Sequence, residues 1–97
     1  MATVQIKNSF AGKGDSEVYE AALQAIPNAG LNVWKKRELA RLVMGTGKVD
    51  DNEVRCNIAV SMVDGSVTVS VEGDDLDEAA TQQVADNLMG ELSKLLA

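Results

Sequence analysis

The sequence predicts an α+β fold, in which one antiparallel sheet of about five strands carries two helices on one face. Three observations favour this fold. Apolar and polar residues alternate near the N-terminus and again over residues 54–71, an Asp-Gly pair divides that second alternation, and apolar residues recur at helical spacing in two other segments. The predicted order is β-α-β-β-β-β-α, and the 97 residues suffice for a single α+β domain over residues 1–97.

The first strand and the first helix are predicted from the N-terminal third of the chain. Apolar residues alternate with polar ones over residues 3–10, which is typical of a half-buried strand. After two glycines, Asp15 or Ser16 is expected to accept hydrogen bonds from the first free amides of the helix. An apolar stripe continues to Ile26, and the helix is expected to stop before Pro27.

Residues 31–48 admit two interpretations. An alternation that begins at Leu31 and resumes after a short polar turn favours a β-hairpin. The good helix formers between residues 34 and 44 favour a helix instead, with Gly45 as its C-cap. The hairpin is preferred because two amphipathic helices need more sheet face than three strands offer. Gly45 and Gly47 are then expected to lie in the loop that follows it.

Residues 54–71 form the clearest predicted element, a second β-hairpin. Asp64 and Gly65 stand between two apolar alternations and predict a two-residue type I′ turn. The turn sets the register and places six apolar side chains on one face, with Met62 opposite Val67, Val60 opposite Val69 and Ile58 opposite Val71.

Residues 76–96 predict a long C-terminal helix. Asp75 at the N-cap and Glu78 three residues later form a capping box. Such a helix would be ~30 Å long, whereas a seven-residue strand reaches only ~23 Å, so the helix must cross the sheet obliquely or overhang it. An overhang would expose an apolar candidate interface for a homodimer, consisting of Leu92, Leu95 and Leu96.

Three segments carry a resemblance to a known superfamily. The segment SEVYEAALQAI, Ser16–Ile26, is similar to the short helix that follows the first strand in that superfamily. The segment Gly30–Val33 corresponds to the chain's entry into the sheet. The segment ATQQVADNLMGELSKLLA is similar to the helix that lies over the sheet. Together they resemble a reduced helix-grip (START-like) domain. The resemblance implies a binder of small ligands with its site between the sheet and the C-terminal helix, and it carries over no individual site residue.

Composition and charge argue against several partners. The 9 basic and 15 acidic residues give a net charge of −6, so general nucleic-acid binding is not expected. No apolar run is long enough to span a membrane and no secretory signal is visible, so we expect a cytoplasmic protein without a membrane partner. Cys56 has no second cysteine to pair with and is expected to be a buried structural thiol.

One cluster of residues is a candidate binding patch. An aromatic residue beside several cations can stack a base or hold an anionic partner. Lysine and arginine on an edge strand also discourage edge-to-edge aggregation. This structural role would explain the same cations without a binding partner. The candidate patch consists of Trp34, Lys35, Lys36, Arg37 and Arg41.

No catalytic, cofactor-binding or metal-binding residue is predicted. The segment MGTGK, residues 44–48, lacks the upstream glycine and the following Ser or Thr of a phosphate loop. The acidic residues 50–53 and 72–78 lack the ligand spacing of an EF-hand. Tyr19 lies on an apolar helix stripe and is expected in the core.

The predicted function is that of a small non-catalytic binding or interaction module. It would hold an apolar small ligand between the sheet and the C-terminal helix, or it would assemble through that helix. The alternative is an enzyme that acts on a small hydrophobic substrate in a cavity at the same place, without a cofactor.

Overall fold

The computed structural model describes residues 2–10, 12–49, 51–63, 66–73 and 75–96. Within these residues the chain forms five strands and two helices in the predicted order. They are β1 (Ala2–Ser9), α1 (Asp15–Asn28), β2 (Asn32–Arg37), β3 (Leu42–Val49), β4 (Asn52–Val60), β5 (Ser66–Gly73) and α2 (Glu78–Leu95).

The five strands form one antiparallel sheet in the order β1-β5-β4-β3-β2. Its inner face is built by the alternation that the sequence shows, since every second residue of β4 and β5 is buried. Helix α2 packs over β1 and β5, and α1 packs over β2, β3 and β4. The predicted α+β architecture is confirmed. Neither described helix is long and apolar enough to cross a membrane.

Residues 32–49 form the β2–β3 hairpin, which decides between the two interpretations of this segment. A register shift between Val33 and Lys35 makes Trp34 a bulge in β2. The expectation that Gly45 and Gly47 lie in a loop is wrong, because both lie inside β3. There they leave space for α1 and for the residues that follow it.

The β4–β5 hairpin is present, but its predicted register is wrong by two residues. Ile58 pairs with Val69 and Val60 pairs with Val67. A shift of two residues keeps every side chain on its face, so hydrophobic alternation alone does not distinguish the two registers. The choice of turn therefore caused the error.

The connection between β4 and β5 is longer than the predicted two-residue turn. The Ser61 N–H donates to the carbonyl of Ser66 over 2.8 Å, at the base of this loop. Asp64 and Gly65, on which the turn prediction rests, lie outside the described residues. Met62 was expected on the inner face but lies in this loop and is 60% exposed.

Helix α1 differs from its prediction at both ends. Its N-cap is Gly14, and neither Asp15 nor Ser16 caps it, because both side chains bond to Arg41 instead. At the other end the helix continues through Pro27 to Asn28. The turn that follows closes firmly, since the N–H groups of Ala29, Gly30 and Leu31 donate to the carbonyls of Ala25, Pro27 and Ile26.

Helix α2 begins later than predicted. Asp77, not Asp75, is the N-cap, and its carboxylate accepts a 2.8 Å hydrogen bond from the Ala80 N–H. The helix then has 18 residues, so its length of ~27 Å matches that of the eight-residue strands beneath it. The expected overhang of a long helix over short strands is therefore absent from the described residues.

The leucines of the predicted interface consequently do not form an exposed stripe. Leu92 and Leu96 are 0% and 5% exposed within the chain, and only Leu95, at 37%, reaches the surface. Two of the three side chains belong to the core cluster between α2 and the sheet. The expectation of an exposed patch is wrong for those two residues.

The inner face of β5 provides a direct test of the core. Val69 is fully buried between Ile6 of β1 and Ile58 of β4. We predict that Val69→Ala lowers the free energy of unfolding by ~1 to 3 kcal/mol, measured by chemical denaturation, because it deletes buried methyl groups. Thr68→Ala shortens a half-buried residue on the opposite face and should cost less. Equal midpoints for Val69→Ala and the unmodified protein would contradict this assignment of the core.

Candidate functional site

A half-open cleft of about 290 Å³ lies between α2, the end of β3 and the connection from α1 to β2. This is the region between the sheet and the C-terminal helix. Three segments that are distant in sequence line it. They contribute Ala29, Gly30 and Leu31 from the connection, Lys48 and Val49 from β3, and Ala80, Gln83, Val84 and Asn87 from α2.

Helix α2 supplies one wall of the cleft. Positions 80, 83, 84 and 87 follow the helical spacing of i, i+3, i+4 and i+7, so their side chains share one side of the helix. The Asp77 cap fixes where the helix starts and therefore how this side is oriented. The wall combines small and apolar residues with two exposed amides, Gln83 and Asn87.

The connection after α1 supplies the floor and the second wall. Gly30 has a φ of +86°, a conformation that glycine adopts without strain, and it turns the chain sharply out of the helix. The turn places Leu31 over Gly47 of β3, where a side chain on Gly47 would overlap the Leu31 Cδ2 atom. Leu31 is thus buried as part of the floor, and the absence of a side chain at Gly47 makes room for it.

The lining residues allow binding chemistry more readily than catalysis. The amides of Gln83 and Asn87 have no hydrogen-bond partner among the described residues and are available to a ligand. Among the described residues of the lining, Lys48 is the one cation, and none of them carries a carboxylate, thiol or hydroxyl side chain. An apolar body with one or two polar groups suits such a surface.

The predicted binding patch is only partly assembled. Trp34, Lys35, Lys36 and Arg37 lie together on β2, where all six residues are exposed. The Lys35 ammonium lies 5.9 Å from the centroid of the Trp34 ring, within the range of a cation–π contact. Arg41 contacts the start of α1 instead, and Lys35 and Lys36, which pair with Met44 and Val43, lie on opposite faces of the sheet, so the five residues do not form one patch.

Arg41 instead joins the β2–β3 turn to the start of α1. Its Nε lies 2.8 Å from the Asp15 carboxylate and its second terminal nitrogen lies 3.0 Å from the Ser16 hydroxyl. It also donates to the Glu38 carbonyl. Its guanidinium carbon lies 5.8 Å from the centroid of the Tyr19 ring. With these contacts Arg41 holds two elements together, and its charge is no longer free for a partner.

Titration behaviour follows from these contacts. The hydrogen bond from Arg41 lowers the pKa of Asp15, against a smaller opposing effect of burial. Burial raises the pKa of Tyr19, whose hydroxyl is enclosed and has no hydrogen-bond partner among the described residues. Tyr19 therefore lies in the core, with its hydroxyl enclosed there.

Cys56 is buried in the inner face of β4, as expected. Burial raises the pKa of its thiol to about 11, so the reactive thiolate is scarce at neutral pH. Within the described ranges, no group of three or more Cys, Asp or Glu residues could hold a metal ion. Asp50 and Asp74, which belong to the two acidic stretches, lie outside those ranges.

None of the residues that line the cleft was among the predicted site residues. Its lining comes from positions near 30, 48 and 84, and no local pattern connects them. The sequence contains one indication of the cleft. The amides of Gln83 and Asn87 lie on the flank of an otherwise apolar stripe of α2.

No family model matches the chain, and no curated protein matches its sequence. The resemblance to helix-grip domains therefore stays a hypothesis.

The Asp15–Arg41 pair makes stability depend on pH. Because the folded-state pKa of Asp15 lies below its ordinary value, the charged carboxylate favours the folded state, and this contribution is lost as pH falls below about 4. We predict that Asp15→Asn lowers the denaturant midpoint at pH 7 and that the difference shrinks in acid. Glu17→Gln is the control, since Glu17 makes only a 3.7 Å contact with Lys13. A midpoint difference for Asp15→Asn that is constant across this pH range would contradict the account.

Proposed function

We propose that the protein is a small non-catalytic binding module and that it holds an apolar small molecule in the cleft between the sheet and α2. The observation that carries this proposal is the position and lining of the cleft. It lies beside α2, and its lining combines apolar side chains, among them Leu31, Val49 and Val84, with the unpartnered amides of Gln83 and Asn87, so that slightly more of its surface is polar than apolar.

The size of the cleft limits the ligand. Its volume of about 290 Å³ is at the lower end of the ~300 to 1,000 Å³ of ordinary ligand sites, so a molecule of one or two rings suits it better than a lipid. Val49, Ala80 and Val84 would contact the apolar body of the ligand. The amides of Gln83 and Asn87 would orient a hydroxyl, amine or carbonyl group by hydrogen bonds.

Binding is favoured over the alternative, an enzyme acting on a small hydrophobic substrate. Among the lining residues that the structure describes, only Lys48 carries a titratable side chain. The side chains of Tyr19 and Cys56, a phenol and a thiol, are buried elsewhere in the core. Catalysis would need a positioned base or nucleophile, and the cleft offers Lys48 alone.

Assembly through α2 is less well supported, because Leu92 and Leu96 are buried within the chain. General binding to nucleic acid is not proposed. The charge of Arg41 is engaged by Asp15, and the net charge of the chain is −6. We also propose a cytoplasmic location, because the single Cys56 is a free thiol with no second cysteine for a disulfide.

A pair of matched substitutions tests the cleft. Ala80 lines it, whereas its neighbour Ala79 is exposed on another side of α2. We predict that indole, p-cresol or cyclohexanol causes saturable amide shifts at Gly30, Val84 and Asn87 in NMR titrations. Ala80→Phe fills the cleft and should abolish these shifts, while Ala79→Phe should leave them unchanged.

Both variants should retain dispersed spectra, which shows that they are folded. Saturable binding that survives Ala80→Phe, or shifts that map away from the cleft, would refute the proposed site. Failure of all three probes to bind the unmodified protein would refute the proposal of an apolar ligand.

A further inference from the structure

The two edges of the sheet differ in how they are protected. Strand β1 is one edge, and it pairs with β5 without a register shift from Ala2 opposite Gly73 to Ser9 opposite Ser66. In an antiparallel strand, half of the backbone N–H and C=O groups point away from the neighbour. No described strand of the chain bonds to that outer side of β1. A long and regular edge of this kind is a template for pairing with another strand.

Strand β2, at the opposite edge, carries two devices that discourage such pairing. It has three consecutive cations, Lys35, Lys36 and Arg37, and its ladder is interrupted by the bulge at Trp34. Strand β1 has neither device, since Lys7 is its one charged residue. The contrast within one sheet indicates that β1 is suited to contact and that β2 is suited to solvent.

We propose that β1 pairs antiparallel with β1 of a second copy of this chain, about a two-fold axis, so that two five-stranded sheets become continuous. The proposal is independent of the ligand in the cleft. A two-fold axis requires the strand to be complementary to itself. If one residue of the first copy contacts a second residue of the other copy, then that second residue of the first copy contacts the first residue of the other copy.

The sequence of β1 satisfies that requirement. If the axis passes at Gln5, then Val4 lies opposite Ile6 of the copy and Thr3 lies opposite Lys7. The apolar pair continues the inner face, where Val4 is buried and Ile6 is half-buried. No like charges meet. The same pairing of β2 about Lys36 would set Lys35 against Arg37, which is repulsive.

Helix α2 provides further apolar surface beside this edge. It packs over β1 and β5, with α1 on one flank and the β1 edge on the other. Met89 follows Asn87 by two residues, about 200° around the helix, so it lies on the flank opposite the cleft. Met89 is half-buried and packs against the core. Its remaining surface would meet the second copy and leave the cleft free.

A charge-complementation experiment tests the pairing. Gln5 would meet Gln5 of the copy on the axis, and its neighbour within the chain is the neutral Ser70. Gln5→Lys and Gln5→Glu each place like charges together, so each should raise the dimer dissociation constant about tenfold or more. Mixing the two variants should restore association as a heterodimer. Lys35→Glu, at the other edge, should leave the dimer unchanged.

Sedimentation velocity over a concentration series measures these outcomes, and amide NMR spectra show whether each variant is folded. A monomeric unmodified protein at every concentration would overturn the proposal. So would a dimer that is insensitive to both Gln5 variants, or a mixture that associates no better than the variants alone. Indole binding in the cleft is measured separately, so failure of the dimer and failure of the ligand proposal are distinguishable.

Discussion

The approach of α1 to β3 is the constraint on which the rest of the structure depends. A β-carbon at Gly45 would lie 2.8 Å from Cγ2 of Ile26 and 2.9 Å from Sγ of Cys56, closer than real side chains approach. Ile26 is fully buried in the space that this glycine leaves. Gly47 likewise leaves the space that the Leu31 side chain occupies, just beyond the end of α1. Two glycines on one face of one strand thus determine how deeply α1 sits and where it ends.

The position of α1 determines what remains of the inner face for α2. With α1 seated over β2, β3 and β4, the second helix covers β1 and β5, and the two helices contact each other along part of their length. Helix α1 ends at Asn28 and the chain turns at Gly30, and the cleft lies beside α2 just beyond this end of α1. The same division places the opposite flank of α2 beside the β1 edge. The cleft and the proposed dimer surface therefore lie on opposite sides of one helix.

Periodic patterns predicted the order of the elements, because burial of one face requires alternation in strands and a stripe in helices. They could not predict features that depend on distant residues. Arg41 bonds to Asp15, 26 positions away, and so leaves the predicted patch. Gly45 was interpreted as a loop residue because flexibility and close approach have the same sequence signal. The β4–β5 register failed because a two-residue slip preserves the alternation. The cleft lining is scattered over three segments and has no local pattern.

A double-mutant cycle between Gly45 and Ile26 tests this account most directly. Gly45→Ala should lower the free energy of unfolding by ~1 to 3 kcal/mol through overpacking, and Ile26→Ala should lower it by ~2 to 5 kcal/mol. If the new methyl group clashes with Ile26, the double variant should be more stable than the sum of the single effects implies, by more than ~0.5 kcal/mol. Additive effects, or a Gly45→Ala protein as stable as the unmodified chain, would contradict the claim that close approach at Gly45 positions α1.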